Sequence, residues 1–250
     1  MAILGTKNIT KHFDGVYAVD NLSISFEVGK ITSIIGPNGS GKTTLTNLLT
    51  GLIPFDSGEI IIADSTVISK MRPHEIPVFG LTRTFQEVRL FEQMTVLDNI
   101  LLVLTERNLW ASIFERHGAY HLEKAEEVLR KVNLWEKRSE LAFNLSYGQR
   151  KLLEVARVLA MTYGSVGGAQ IFIFDEPFAG LFSEMTKVVV GVMEELRAKG
   201  KTLILIEHNM DLIRKLSDKV FVLDAGKLLA EGEPEKVLSQ REVIEAYLGE

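Results

Sequence analysis

The run Gly36-Pro37-Asn38-Gly39-Ser40-Gly41-Lys42-Thr43 limits this chain to few folds. It fits G-x-x-x-x-G-K-[ST], a loop that works between a buried strand and a helix. Its glycines let backbone N–H groups turn inward around phosphate oxygens. Lys42 reaches the β- and γ-phosphates, and the Thr43 hydroxyl is placed for Mg²⁺. The helix that follows adds the partial positive charge of its N-terminus. Both flanks are present. Ile31–Ile35 is a short apolar run, the pattern of a fully buried strand. Leu45, Leu48 and Leu49 then recur at helical spacing, and Gly51 and Pro54 supply stop signals. The loop predicts a site for ATP with Mg²⁺.

The remaining pattern predicts an α/β fold with a parallel sheet. Leu22–Val28 alternates apolar and polar residues and ends at the turn Gly29-Lys30, and Gly58–Ala63 reads as another strand. From about Thr95 to Arg157 the chain reads as helices. Over His121–Leu134, Leu122, Ala125, Val128, Leu129 and Val132 share one face and charges cover the other, the pattern of a solvated helix packed on a neighbour. Strands return at Ile171–Phe174 and Leu203–Ile206, with helix Val188–Lys199 between them. Strand–helix–strand order implies right-handed crossovers. A strand pair, Val220–Leu223 and Lys227–Glu231, precedes a terminal helix over Pro234–Tyr247. Thr162–Gln170 is small and glycine-rich and reads as a surface loop.

Composition removes other classes. No run reaches the ~18 apolar residues that a membrane span needs, and the start MAILGTKNIT lacks a signal-peptide pattern. Without cysteine there is no disulfide framework and no thiolate metal site. A net charge of −5 argues against a nucleic-acid partner.

Four further features carry chemistry. Asp175 ends the IFIF strand, where parallel sheets place ligands, and is expected to hold Mg²⁺. Glu176 follows and could orient or deprotonate an attacking water. Leu145-Ser146-Tyr147-Gly148-Gln149 opens a helix-like run; Ser146 and the Gly148 backbone would face an anion there, or the segment is simply a capped helix. Gln86 follows the first strand region. His208 ends the LILIE strand, as a site residue or as a strand cap.

In this order the motifs resemble the ATP-binding cassette (ABC) ATPases, over nearly the whole chain. The resemblance implies a P-loop NTPase core with an antiparallel β subdomain and an inserted α-helical subdomain. Residues of about 1–94 and 158–250 would form the core, and about 95–157 the helical subdomain. It implies that Gly36, Pro37, Asn38, Gly39, Ser40, Gly41, Lys42, Thr43 and Thr44 contact ATP as Walker A. Asp175 would be the Walker B acid, joined toward Mg²⁺ by Thr43 and by Gln86 of the Q-loop, which also touches a membrane-spanning partner. Glu176 would be the catalytic glutamate and His208 the switch histidine. Phe13 would stack on adenine, with Tyr17 close by and core packing the alternative for either ring. Leu145, Ser146, Tyr147, Gly148 and Gln149 would be the signature, serving the ATP of a second cassette packed head to tail. The implied partners are that second ATPase subunit, in a heterodimer or a homodimer, and permease subunits that hold the chain at the cytoplasmic face of the membrane.

Within the family, Leu81–Leu102, DEPFAGL, LIEHNMDLI and the ending VIEAYLGE resemble ATPases of branched-chain amino acid importers. The lipopolysaccharide-transport ATPase is the second choice, because it keeps a glycine where Tyr147 stands. A soluble ABC protein acting on nucleic acid or the ribosome would need coiled coils or two cassettes, and a P-loop GTPase would need N-K-x-D. Three departures stand out: Phe182 in place of the D-loop aspartate, Tyr147 in the signature, and a lengthened Thr162–Gln170.

Overall fold

The computed structural model describes residues 1–63, 66–68, 73–84, 89–104, 118–163 and 168–248. The strands are β1 (Ala2–Phe13), β2 (Val16–Glu27), β3 (Ile31–Ile35), β4 (Ser57–Ile62), β5 (Thr66–Ile68), β6 (Leu81–Arg83), β7 (Ile171–Asp175), β8 (Thr202–Ile206), β9 (Lys219–Asp224) and β10 (Lys227–Gly232). The α-helices are α1 (Lys42–Leu49), α2 (Val96–Leu104), α3 (Gly118–Lys131), α4 (Tyr147–Ala160), α5 (Ser183–Ala198), α6 (Met210–Leu216), α7 (Pro234–Val237) and α8 (Arg241–Leu248).

The larger sheet has the order β10-β9-β3-β8-β7-β6. Its strands from β9 to β6 run parallel, and β10 closes one edge antiparallel. The smaller sheet, β2-β1-β4-β5, is antiparallel throughout.

The short strands of the larger sheet are apolar throughout because both faces are covered. Along β7, Ile171 and Ile173 join the core shared with the antiparallel sheet and α1, whereas Phe172 and Phe174 join the core built by α2 to α5. The same alternation divides β8, with Ile204 and Ile206 on the first side and Leu203 and Leu205 on the second. A third cluster packs Ile35, Val220 and Val222 against Ile213, Val237, Leu238 and Val243 of the C-terminal elements. Phe26 meets Phe221 edge to face, 5.7 Å between centroids, tying the two sheets together. Phe174 is fully buried. Phe174→Ala is therefore expected to lower unfolding stability by about 3–5 kcal/mol, read as a lower midpoint in urea with an unchanged slope.

Several boundaries differ from the sequence reading. The terminal helix is two helices, α7 and α8, interrupted at Leu238–Gln240. The break falls at the polar run Ser239–Glu242, which interrupts the apolar spacing between Val237-Leu238 and Val243-Ile244 and which the single-helix reading bridges. Helix α5 begins at Ser183, ahead of Val188, because its first turn is polar and exposed. Strand β1 pairs along β2 through four register irregularities, with Asn8 and Asn21 at positive φ. Those bulges erase the two-residue alternation that would have marked it.

Candidate functional site

Parallel strands deliver their C-terminal ends to one edge of the sheet. Here β3, β8, β7 and β6 are neighbours. Their ends carry the phosphate loop, Glu207-His208, Asp175-Glu176 and Arg83-Thr84 respectively. Four separate stretches of sequence thus become one site.

The phosphate loop is held in shape from three sides. The Gly36 N–H donates to Tyr247 Oη on α8 at 2.7 Å. Burial pushes the Tyr247 phenol up to about 12, so it stays a neutral hydroxyl. The Gly226 N–H, in the β9–β10 turn, donates to the Ser40 carbonyl at 3.2 Å. Gly41 has φ +100 and lies so close to β2 that a Cβ would come within 2.3 Å of the Ala18 carbonyl oxygen. Only glycine fits there. Inside the loop Lys42 Nζ donates to the carbonyls of Gly36 and Pro37, both at 2.8 Å. Burial pushes this ammonium down, and the carboxylates of Glu176 and Asp175 oppose that. Asn38, Gly39 and Thr43 are exposed, Pro37 and Thr44 half-buried.

The acidic side is equally ordered. Asp175 is buried, and its Oδ2 accepts from Arg83 Nη2 at 2.6 Å. Arg83 Nη1 donates to Asn47 Oδ1 at 2.7 Å and to Thr50 Oγ1 at 3.2 Å, both on the α1 side. The Asp175 N–H donates to Thr84 Oγ1 at 3.0 Å. Glu176 leaves the strand at φ +47, its N–H donating to the Ile206 carbonyl at 2.9 Å. Its Oε1 lies 3.0 Å from His208 Nε2. The buried Glu207 accepts the backbone N–H groups of His208 and Asn209 at 2.8 and 3.1 Å. Asn209 in turn caps α6 through the N–H groups of Asp211 and Leu212. His208 is therefore aimed into the site by a fixed backbone.

Among the described residues no group of three or more His, Cys, Asp and Glu side chains could cage an ion. A divalent ion that arrives with phosphates needs only one or two hard protein oxygens. The Thr43 hydroxyl and the Asp175 carboxylate are oxygens that could supply that chemistry. Gln86 lies outside the described residues.

The signature is a capped helix terminus. Ser146 Oγ accepts the Gln149 N–H at 3.4 Å, and Gln149 Oε1 accepts the Ser146 N–H at 3.0 Å, closing a capping box. The serine hydroxyl keeps its own proton to donate. Leu145 is buried, Ser146 and Tyr147 are exposed. A Cβ on Gly148 would come 2.5 Å from Met185 Sδ, and one on Gly180 would come 2.8 Å from the Tyr147 ring. Tyr147 thus packs back on the segment after Glu176 instead of disrupting the turn. Among the described hydrogen bonds none joins this segment to the phosphate loop. Phe182 is 80% exposed and stands at the N-cap of α5 without a side-chain cap. Phe13 and Tyr17 are both exposed, at the end of β1 and the start of β2, so neither ring is core. Lys11 Nζ sits 5.2 Å from the Phe13 centroid.

Sequence reasoning did not single out Arg83, Lys151, Glu207 or Tyr247. Lys151 carried a signal, a cation on the inner face of a helix otherwise lined by Leu152, Val155 and Leu159.

A phosphate loop facing a strand-end acid pair, with a capped signature helix elsewhere on the chain, defines a nucleotide-hydrolysing cassette, and the chain belongs to the ABC transporter family, whose model matches residues 19–179. Residues 227–250 match a second model, the branched-chain amino acid ATP-binding cassette transporter. It is 36% identical over 259 residues to the probable branched-chain amino acid transport ATP-binding protein LivG of Archaeoglobus fulgidus, covering 100% of this chain and 96% of that protein. It is 38% identical over 258 residues to the high-affinity branched-chain amino acid transport ATP-binding protein BraF of Pseudomonas aeruginosa, covering 99% and 98%. Among solved structures, a nucleotide-free cassette from an ABC transporter superposes with TM-score 0.84 at 34% identity. A cassette in its ADP conformation gives 0.83 at 35%, and both cover 100% of either chain. This chain is the ATP-binding and ATP-hydrolysing subunit of an ABC transporter. No helix among the described residues is long and apolar enough to cross a membrane.

Proposed function

We propose that this subunit energises the import of branched-chain amino acids. The observation that carries the reading is the match of residues 227–250 to the branched-chain transporter model. That segment is part of the site, since its Tyr247 holds the first glycine of the phosphate loop. The names of the full-length relatives support the same substrate class.

Each site residue then has a role. Backbone N–H groups of Gly39 to Thr44 and the ammonium of Lys42 hold the phosphates, Lys42 exchanging its two carbonyl partners for phosphate oxygens. Phe13 takes the adenine. Thr43, Asp175 and Gln86 would hold Mg²⁺, which would supply neutralising charge for the phosphates of bound ATP. Glu176 accepts a proton from the attacking water. The contact of His208 Nε2 with Glu176 Oε1 orients the carboxylate and places the imidazole near the transferred group. Catalysis is positioning and charge stabilisation of an in-line displacement. His208→Ala is expected to lower kcat by about 100-fold with little change in ATP affinity, measured as steady-state phosphate release beside a binding titration.

A second cassette completes each site through Ser146, Gly148 and Gln149. Helices α2, α3 and α4 move as a lobe that carries the signature, and Gln86 makes the permease contact. Permease subunits hold the chain peripherally at the membrane. Phe182, lacking the side-chain cap that an aspartate gives, fits a heterodimer in which the partner brings its own loop. Mixing this chain with a candidate partner cassette should raise ATPase activity above that of either alone. Full activity of this chain alone would rule out an obligatory heterodimer. The substrate is tested in proteoliposomes holding this chain, its partner cassette, permeases and a binding protein. Leucine-loaded binding protein should stimulate ATP hydrolysis and leucine uptake, and stimulation only by an unrelated solute would overturn the assignment.

A further inference from the structure

The signature helix carries a lysine where its periodicity asks for an apolar side chain. Lys151 lies one turn into α4, 2% exposed, among the buried residues Leu152, Glu154 and Val155. Its Nζ donates to the backbone carbonyl of Glu176 at 2.8 Å. Burial pushes this ammonium down, opposed by the carboxylates of Glu154, Glu176, Asp175 and Glu207. A buried cation is costly, and an apolar side chain of similar volume often serves stability as well or better. Packing alone therefore does not account for it.

What Lys151 holds is itself unusual. Glu176 is a non-glycine residue at φ +47. Such a conformation persists only where the surroundings over-determine it. Both of its backbone groups are tied, the N–H to the Ile206 carbonyl on β8 and the carbonyl to Lys151 on α4. Its side chain meets His208. The position of the carboxylate thus depends on three elements, and one of them is the helix that begins at Ser146.

We infer that Lys151 is a positioning residue that makes the aim of Glu176 depend on the pose of the signature helix. The inference rests on the reading of Glu176 as the residue that activates water. Nucleotide of a second cassette engages the N-terminus of α4. One turn further along the same helix, Lys151 passes that engagement to the backbone of Glu176 in this chain's own site. Each site then gains its full activity only when the other cassette's nucleotide is in place, and the hydrogen bond from Lys151 Nζ to the Glu176 carbonyl carries the link.

Lys151→Met and Lys151→Arg in the full chain, assayed with the partner cassette, test this. Lys151→Met is expected to lower kcat on the order of tenfold or more while the KM for ATP stays within about twofold, and Lys151→Arg to recover most of the rate. A second readout does not depend on turnover. In the Glu176→Gln background, ATP should slow amide exchange over residues 176–181 when Lys151 is present, and not when Lys151→Met is added. Wild-type kcat for Lys151→Met would overturn the inference. So would a fall in kcat that merely tracks a smaller folded fraction in thermal melts, or ATP-dependent protection that survives Lys151→Met. Failure of the underlying reading looks different, since Glu176→Gln alone would then hydrolyse ATP normally.

Discussion

Glu176→Gln is expected to bind ATP as the natural chain does and to hydrolyse it at least about 100-fold more slowly, the usual contribution of a positioned general base. The substitution is nearly isosteric and keeps the Cβ that the backbone already tolerates at φ +47. Its N–H and carbonyl bonds to Ile206 and Lys151 involve only main-chain atoms of residue 176 and should remain. The amide can still meet His208 at the present 3.0 Å. What disappears is the ability to take a proton. Nucleotide affinity from a fluorescent ATP analogue and phosphate release from the same preparation separate the two effects. Normal turnover would show that another group activates the water.

Gly41→Ala is expected to weaken ATP binding at least about 100-fold, close to the loss of one or two charge-assisted hydrogen bonds at ~1.5–3 kcal/mol each. The new Cβ would meet the Ala18 carbonyl oxygen at 2.3 Å, and that oxygen is backbone in β2, which cannot swing aside. The loop must shift instead, and its N–H groups move with it. Gly200→Ala, away from the loop, is the control. It too sits at positive φ, +72, but a Cβ there meets nothing within 4 Å. It should show only the backbone strain of about 1–3 kcal/mol, in stability more than in affinity. Equal ATP affinities for the two variants, measured by equilibrium titration, would mean that the loop is not held against β2 as described.

Much of this was legible in the sequence because it depends on local period and local motif. The apolar runs of β3, β7 and β8 show themselves as buried strands, and Asp175, Glu176 and His208 follow from lying at their ends. The phosphate loop is a contiguous pattern and needs no tertiary information. Residues whose roles come from distant partners were not legible. Arg83 sits in a quoted motif, yet nothing local says that its guanidinium reaches Asp175 across a strand pair and Asn47 on α1. Tyr247 lies in a recognisable ending, but its hydrogen bond spans nearly the whole chain. The bulges of β1 failed for the opposite reason, since local irregularity there hides a regular period.

The alternation along β7 has a bearing on how such a chain can change length over evolution. Ile171 and Ile173 face α1 and Phe172 and Phe174 face the helices of the other layer, and Asp175 continues the first parity. That parity is why its carboxylate arrives beside Arg83, whose register partner on β7 is Ile173. Inserting or deleting one residue in β7 would invert every side chain beyond it and send the acid into an apolar layer. Substitutions within the strand cost stability by degrees, but a single-residue indel would exchange the two faces at once. Length variation is therefore expected to collect in Thr162–Gln170 just upstream, and to stop abruptly at Ile171.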